Sequence, residues 1–356
     1  MSKKSKGPVY RVPPYDVQRV MTAAAGMKEL IGWGQIATGV PEGWKQTKGQ
    51  ARNGRRVKIA VCDTGVDRTH RDGELCNVIK SSDVTGFGPD DEDGHGTHVC
   101  GIIGARADAT GVIGYAPEAE LISIRCLHEG VGKSQWVADA IRIAIESEVD
   151  VISLSLGSPY ASSKIAQQIE TAVKEGIFVV CAAGNSGRPD DVNFPARWKG
   201  QADGRPDLDT IAVASITKTG QLASYSSRGM EVDVAAPGSD ICSTWLRGGY
   251  AELSGTSMAC PAVSAIVGLM LVAHWDLGLK CKTALKTMGQ LREHIKKYAI
   301  DIGGPGFDPG TGWGLIRADG LANLAETPIA SGVTIPLGPL TIHMPPSAED
   351  RIGIEW

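Results

Sequence analysis

The stretch Ser254-Gly255-Thr256-Ser257-Met258-Ala259-Cys260-Pro261 passes directly into an apolar run over residues 262–273. Small and hydroxyl residues giving way to helical periodicity mark a helix start, and the pattern predicts Pro261 in the first turn, where a missing N–H costs little. Ser257 then lies at the helix N-terminus. A hydroxyl there faces unpaired backbone N–H groups that favour developing negative charge, which suits a nucleophile. It suits an ordinary N-cap in front of a buried helix equally well.

The preceding chain supplies a sheet for that helix. Residues 57–62, 121–125, 150–156, 176–181, 207–215 and 231–236 read as buried strands. Between them, Ser134 is expected to cap an amphipathic helix carrying Trp136, Val137, Ala140, Ile141, Ala144 and Ile145, and residues 165–175 form a second one. Strand and helix alternating at these lengths predict parallel βαβ units with right-handed crossovers, hence an α/β fold. Residues 72–93 and 199–205 read as polar surface loops, and 316–325 as a short helix. A lead segment (1–28) with little periodicity precedes the main domain (29–326), and a Pro-rich extended arm (327–356) follows it.

The charge balance excludes some partners. Lys plus Arg number 36 against 40 Asp plus Glu in 356 residues, so no overall field favours nucleic acid or an anionic membrane. The basic start is not followed by the apolar run of a secretory signal, and residues 262–273 are too few to span a bilayer. Eight cysteines occur without a CxxC pair, several inside apolar segments, which points to buried reduced thiols and a cytoplasmic setting.

Three element ends offer reactive side chains: Asp63 after the strand at 57–62, His95 within Gly94-His95-Gly96-Thr97-His98, and Ser257. Singly, each has an ordinary explanation as a turn cap, a buried histidine or an N-cap. Together, Asp63-Thr64-Gly65, Gly94-His95-Gly96-Thr97-His98 and Gly255-Thr256-Ser257-Met258-Ala259 resemble the three signature motifs of the subtilisin family of serine peptidases, in that family's Asp, His, Ser order. The resemblance implies a subtilisin-like three-layer α/β fold and a broad-specificity endopeptidase acting on protein or peptide substrates. It also implies roles: Ser257 as nucleophile, His95 as base, Asp63 as its orienting carboxylate and Asn185 as oxyanion donor. His98 is expected to be structural, and a zinc site is disfavoured by the His-x-x-His spacing.

By the same resemblance, Gly130, Val131 and Gly132 face Ser155, Leu156 and Gly157 across the substrate, with Asn193 near the pocket floor. Structural calcium is implied too, held by Asp108, Asp72 and Glu29 with Thr110 and Val112. Arg11-Val12-Pro13-Pro14-Tyr15 resembles the inhibitory N-terminal extension of the intracellular subtilisins, so a zymogen blocked by Val12, Pro13, Pro14 and Tyr15 and cut between Asp16 and Glu29 is expected. In that subgroup the C-terminal arm assists homodimer formation, and the same is expected here. A peptide ligase or macrocyclase on the same fold, or a catalytically silent binding module, are the competing readings.

Overall fold

A computed structural model describes residues 8–22, 29–70, 77–200, 204–277, 285–319 and 321. The lead segment contributes two strands, β1 (Val9–Arg11) and β2 (Asp16–Thr22), followed by short helices α1 (Trp33–Ala37) and α2 (Val40–Gly43). Then come β3 (Lys58–Asp63), β4 (Val78–Asp83), α3 (His95–Gly104), β5 (Glu120–Arg125), β6 (Val131–Lys133), α4 (Ser134–Glu146), β7 (Val151–Leu154), α5 (Ser163–Lys174), β8 (Phe178–Ala182) and β9 (Ile211–Ile216). The chain continues through β10 (Val234–Pro237), β11 (Ile241–Trp245), β12 (Gly249–Ser254), α6 (Thr256–Leu277) and α7 (Met288–Tyr298).

Seven of these strands form one parallel sheet in the order β10-β9-β8-β7-β3-β5-β4. Strands β7 to β10 are buried along their whole length, as a parallel sheet covered on both faces requires. Side chains alternate between two cores. Ile59 and Val61 join the cluster built with α3 and α6, while Ala60 and Cys62 join the one built with α4 and α5. The switch point falls beside β3, where the chain first builds toward β5 and later toward β7. Ligands collect at the carboxyl ends of strands flanking such a point, and Asp63 ends β3.

Helix α6 is buried from Thr256 through His274. It begins six residues before the apolar run, so Pro261 lies in the second turn rather than the first. Its missing N–H therefore removes the helical donor for the Ser257 carbonyl. By length and hydropathy alone α6 is long enough to cross a bilayer, contrary to the expectation from residues 262–273, yet it is wholly enclosed by the protein.

Other local expectations also change. Within the expected loop at 72–93, residues 78–83 form edge strand β4, partly exposed and so without a continuous apolar signal. Lys133, not Ser134, is the N-cap of α4, and it makes no side-chain cap bond. Lys199 does not begin a surface loop. Its Nζ donates to Asp233 Oδ2 (2.6 Å) and the Thr210 carbonyl (2.8 Å), beside Arg292, which grips both Asp209 and Asp233. The six described cysteines are reduced thiols, five of them buried, and burial pushes the Cys62, Cys126, Cys181 and Cys260 thiols up. The C-terminal arm and part of the helix expected at 316–325 lie outside the described residues.

Candidate active site

Asp63 leaves the end of β3 with its carboxylate turned toward α3. Its Oδ1 accepts the Thr64 N–H (2.7 Å) and stands 2.7 Å from His95 Nδ1. His95 is the first residue of α3, and side chains of two loops satisfy the unpaired N–H groups of that turn: Asp93 receives His95 N (3.3 Å), Thr64 Oγ1 receives Gly96 N (2.8 Å), and Asp91 receives Thr97 N (2.9 Å). A Cβ at Gly96 would collide with the Gly65 backbone, so only glycine lets α3 approach β3 this closely.

Burial pushes the His95 imidazole down, but the Asp63 carboxylate, joined by Asp93 and Asp91, overrides it and holds the pKa above the ordinary histidine value. For Asp63 burial is the largest influence and raises the carboxyl, opposed by His95 and the Thr64 N–H. His95 Nε2 and Asp63 Oδ2 are buried without a hydrogen-bond partner among the described residues. His98 is a different kind of histidine. Its Nε2 sits 3.0 Å from both the Ile241 and Ala251 carbonyls, and burial pushes its pKa down to about 3.

Ser257, the second residue of α6, donates to the Ser155 carbonyl (3.3 Å), and Ser155 Oγ donates back to the Ser257 carbonyl (2.9 Å). That second bond satisfies the acceptor that Pro261 leaves without a helical donor. Asn185, beyond the end of β8, accepts at Oδ1 from Thr256 N (2.9 Å) and Thr256 Oγ1 (2.7 Å), which aims its Nδ2 outward. That Nδ2 donates to the Pro14 carbonyl at 2.7 Å.

The lead segment thus lies in the cleft. β1 pairs antiparallel with β6, and Arg11 exchanges two backbone bonds with Gly157 (2.9 and 2.8 Å), while Val12 N donates to the Gly130 carbonyl (3.0 Å). The two expected substrate edges, 130–132 and 155–157, therefore do face each other across an extended strand. Asn193 borders Gly157 and Gly184, against which a Cβ on either would clash. Val12 and Pro13 are buried and Pro14 exposed; Tyr15 tilts over the His95 ring (centroids 5.0 Å) and donates to Asp93 Oδ1 (3.1 Å). Beneath this cover His95 and Ser257 are 0 % exposed.

Two contributors were not singled out in the sequence: Asp93 and Tyr10, which is wholly buried and donates to the Tyr160 carbonyl (3.2 Å); Ser155 was expected at the substrate edge, but not the bond of its hydroxyl to Ser257. The acidic run before Gly94, a capping pattern, was the available signal for Asp93.

The expected calcium ligands are only partly gathered. Glu29 Oε1 receives the Ala109 N–H (3.2 Å), Asp108 Oδ1 receives Thr110 N and Oγ1 (3.1 and 2.9 Å), and Leu30 bridges to Val112. Asp72 lies outside the described residues, and among those described no group of three His, Cys, Asp or Glu side chains converges on a metal position.

Such a sheet, with a carboxylate, an imidazole and a hydroxyl at adjoining element ends and an amide beside them, defines a subtilisin-like serine endopeptidase class. The subtilase family profile matches residues 54–314, and the chain belongs to that family. It is 36% identical over 247 residues to the major intracellular serine protease of Bacillus subtilis (strain 168), covering 65% of this chain and 75% of that protein. It is 39% identical over 246 residues to the intracellular serine protease of Paenibacillus polymyxa (65% and 69% covered). It is also 34% identical over 286 residues to the minor extracellular protease Epr of Bacillus subtilis (strain 168), covering 80% of this chain but 41% of Epr.

Proposed function

We propose that the chain is a serine endopeptidase held inactive by its own lead segment, with Ser257, His95, Asp63 and Asn185 as its catalytic groups. Ser257 Oγ attacks the scissile carbonyl while His95 Nε2 takes its proton and returns it to the leaving amine. Asp63 fixes the tautomer through Nδ1–H and stabilises the imidazolium. The Asn185 amide, aimed by Thr256, donates to the oxygen as it becomes charged, and the N-terminus of α6 adds a favourable dipole. Water then releases the acyl-enzyme. His95 Nε2, buried without a hydrogen-bond partner among the described residues, is free to take the Ser257 proton, which supports this reading.

The observation that carries the lock is the path of residues 9–15: backbone bonds to both cleft edges, the Pro14 carbonyl on the Asn185 donor, and the nucleophile and base wholly covered. The Pro14 carbonyl on Asn185 Nδ2 makes Pro14–Tyr15 the bond held at the proposed oxyanion donor. Activation requires a cut in or after β2, and broad specificity follows from pairing through backbone. The names of the relatives support both intracellular and extracellular settings, and a cytoplasmic one is proposed. Structural calcium belongs to the same proposal. Glu29, Asp108 and the carbonyls of Thr110 and Val112 would be its oxygen ligands among the described residues, the type a hard cation takes, and the ion would tie the start of the main domain to the loop after α3.

The test takes the full chain with a second protease's recognition sequence placed between residues 22 and 29, together with its Ser257→Ala variant. After nicking, the first is expected to cleave casein and react with a fluorophosphonate at Ser257, the variant to do neither. Equal casein cleavage before and after nicking would refute the lock, and labelling elsewhere would refute the nucleophile.

A further inference from the structure

The lead segment does not stop at the cleft. After Tyr15 it continues as β2 along the outer edge of β12, antiparallel, with Asp16 opposite Ser254, Val17 opposite Leu253, Arg19 opposite Glu252, Val20 opposite Ala251, Met21 opposite Tyr250 and Thr22 opposite Gly249. A bulge lies between Glu252 and Leu253, and the Gln18 amide reaches Ser254 Oγ at 3.0 Å. The other edge of β12 is taken by β11, so β2 covers the one edge that β12 has left.

Two facts make this edge part of the catalytic path. Ser254 stands immediately before Gly255, Thr256 and Ser257, so the strand runs straight into the nucleophile. The lead segment also meets the elements in a fixed order: cleft edges with residues 9–12, the Asn185 donor with Pro14, and then β12 with residues 16–22. Val17 and Val20 remain 42% and 57% exposed, so the attachment is made by main chain rather than by burial of side chains. An unpaired strand edge is a template for any extended chain that reaches it.

We infer that in the activated enzyme the outer edge of β12 binds the substrate segment that follows the cut, as an added antiparallel strand of up to seven residues, the length of β2. The inference rests on the reading of residues 9–15 as a substrate-like occupant of the cleft. It assigns the enzyme a preference for extended polypeptide with a long stretch beyond the scissile bond, such as unfolded protein, over short peptides. The released lead segment is then a competitor for two surfaces at once.

The test uses the full chain nicked after folding between residues 22 and 29 and freed of the released peptide. Quenched fluorogenic peptides share the residues before the cut and carry two, four or seven residues after it. kcat/KM is expected to rise about tenfold from the shortest to the longest, the effect of one or two net backbone hydrogen bonds. N-methylation walked singly through the seven-residue tail should lower it at alternating positions, as an antiparallel edge demands. A length series that is flat while all three peptides are cleaved overturns the strand site and leaves the peptidase reading intact. No cleavage of any peptide overturns both.

Discussion

Replacing Asn185 by alanine separates catalysis from locking, because one amide serves both. On the proposed mechanism Nδ2 is the side-chain donor to the developing oxyanion in the nicked enzyme, and its loss should lower kcat by about 10²- to 10³-fold, or about 2.7–4 kcal/mol, with KM changed little. That range is the one known for loss of the side-chain oxyanion donor of subtilisin, and it is the size of effect the proposal demands here. The lock loses only a single bond, Asn185 Nδ2 to Pro14 O at 2.7 Å, made in the ground state. A synthetic peptide of residues 8–22 should therefore inhibit the variant only about 2- to 13-fold more weakly, for about 0.5–1.5 kcal/mol. Thr256 N and Oγ1 lose their acceptor as well, so urea unfolding should register a cost of about 1–3 kcal/mol, and fluorophosphonate titration counts the sites that remain assembled. An unchanged kcat, or a loss expressed wholly in KM, would refute the assignment of the donor.

Three further outcomes follow from the charges. His95 must be neutral to accept a proton and its pKa is held above the ordinary value of about 6.5, so kcat/KM of the nicked enzyme should already decline above that pH on acidification; Asp63→Asn should move the midpoint down along with a large loss of rate. Asp233 is pushed up by burial but held below the usual carboxylate range by Lys199 and Arg292, so its contribution to stability is present above about pH 3.9 and is lost as pH falls through the depressed folded value. Arg292→Met should cost about 3–5 kcal/mol at pH 7 in urea unfolding, with the gap to the parent narrowing at about pH 3. Millimolar Ca²⁺ should raise the thermal midpoint relative to chelator, and Asp108→Ala should remove that difference; an equal midpoint in both buffers refutes the calcium proposal.

What the sequence revealed tracks how local the information is. Strands such as β8, buried on both faces, print a continuous apolar run, and Asp63, His95, Asn185 and Ser257 sit in motifs whose spacing is set by strand and helix ends. Edge strand β4 does not print such a run, because only Val78 packs against the core, Ile79 and Lys80 are exposed, and residues 81–83 are polar. β1 and β2 were illegible for a deeper reason. They exist only because β6, Gly157 and β12, far along the chain, present edges to pair with; β1 alternates over just three residues, and Val17 to Val20 of β2 are all exposed. The mutual bonds of Ser155 and Ser257 are equally nonlocal, and the clue, a proline six residues into a helix, has meaning only once the helix start is known.

Helix α6 packs beside α3 on one face of the sheet, and it is made after every strand it covers. Until it emerges and docks, that layer holds α3 without its longest helix and without the hydroxyl at its head, while the strand end bearing Asp63 has long been in place. On the proposed roles, the growing polypeptide therefore cannot bring hydroxyl, imidazole and carboxylate together before α6 is made, and the lead segment that covers them is already present by then. A chain interrupted short of α6 keeps the core on the α4 and α5 side but lacks the longest helix of the other core and, on the proposed roles, its cutting group.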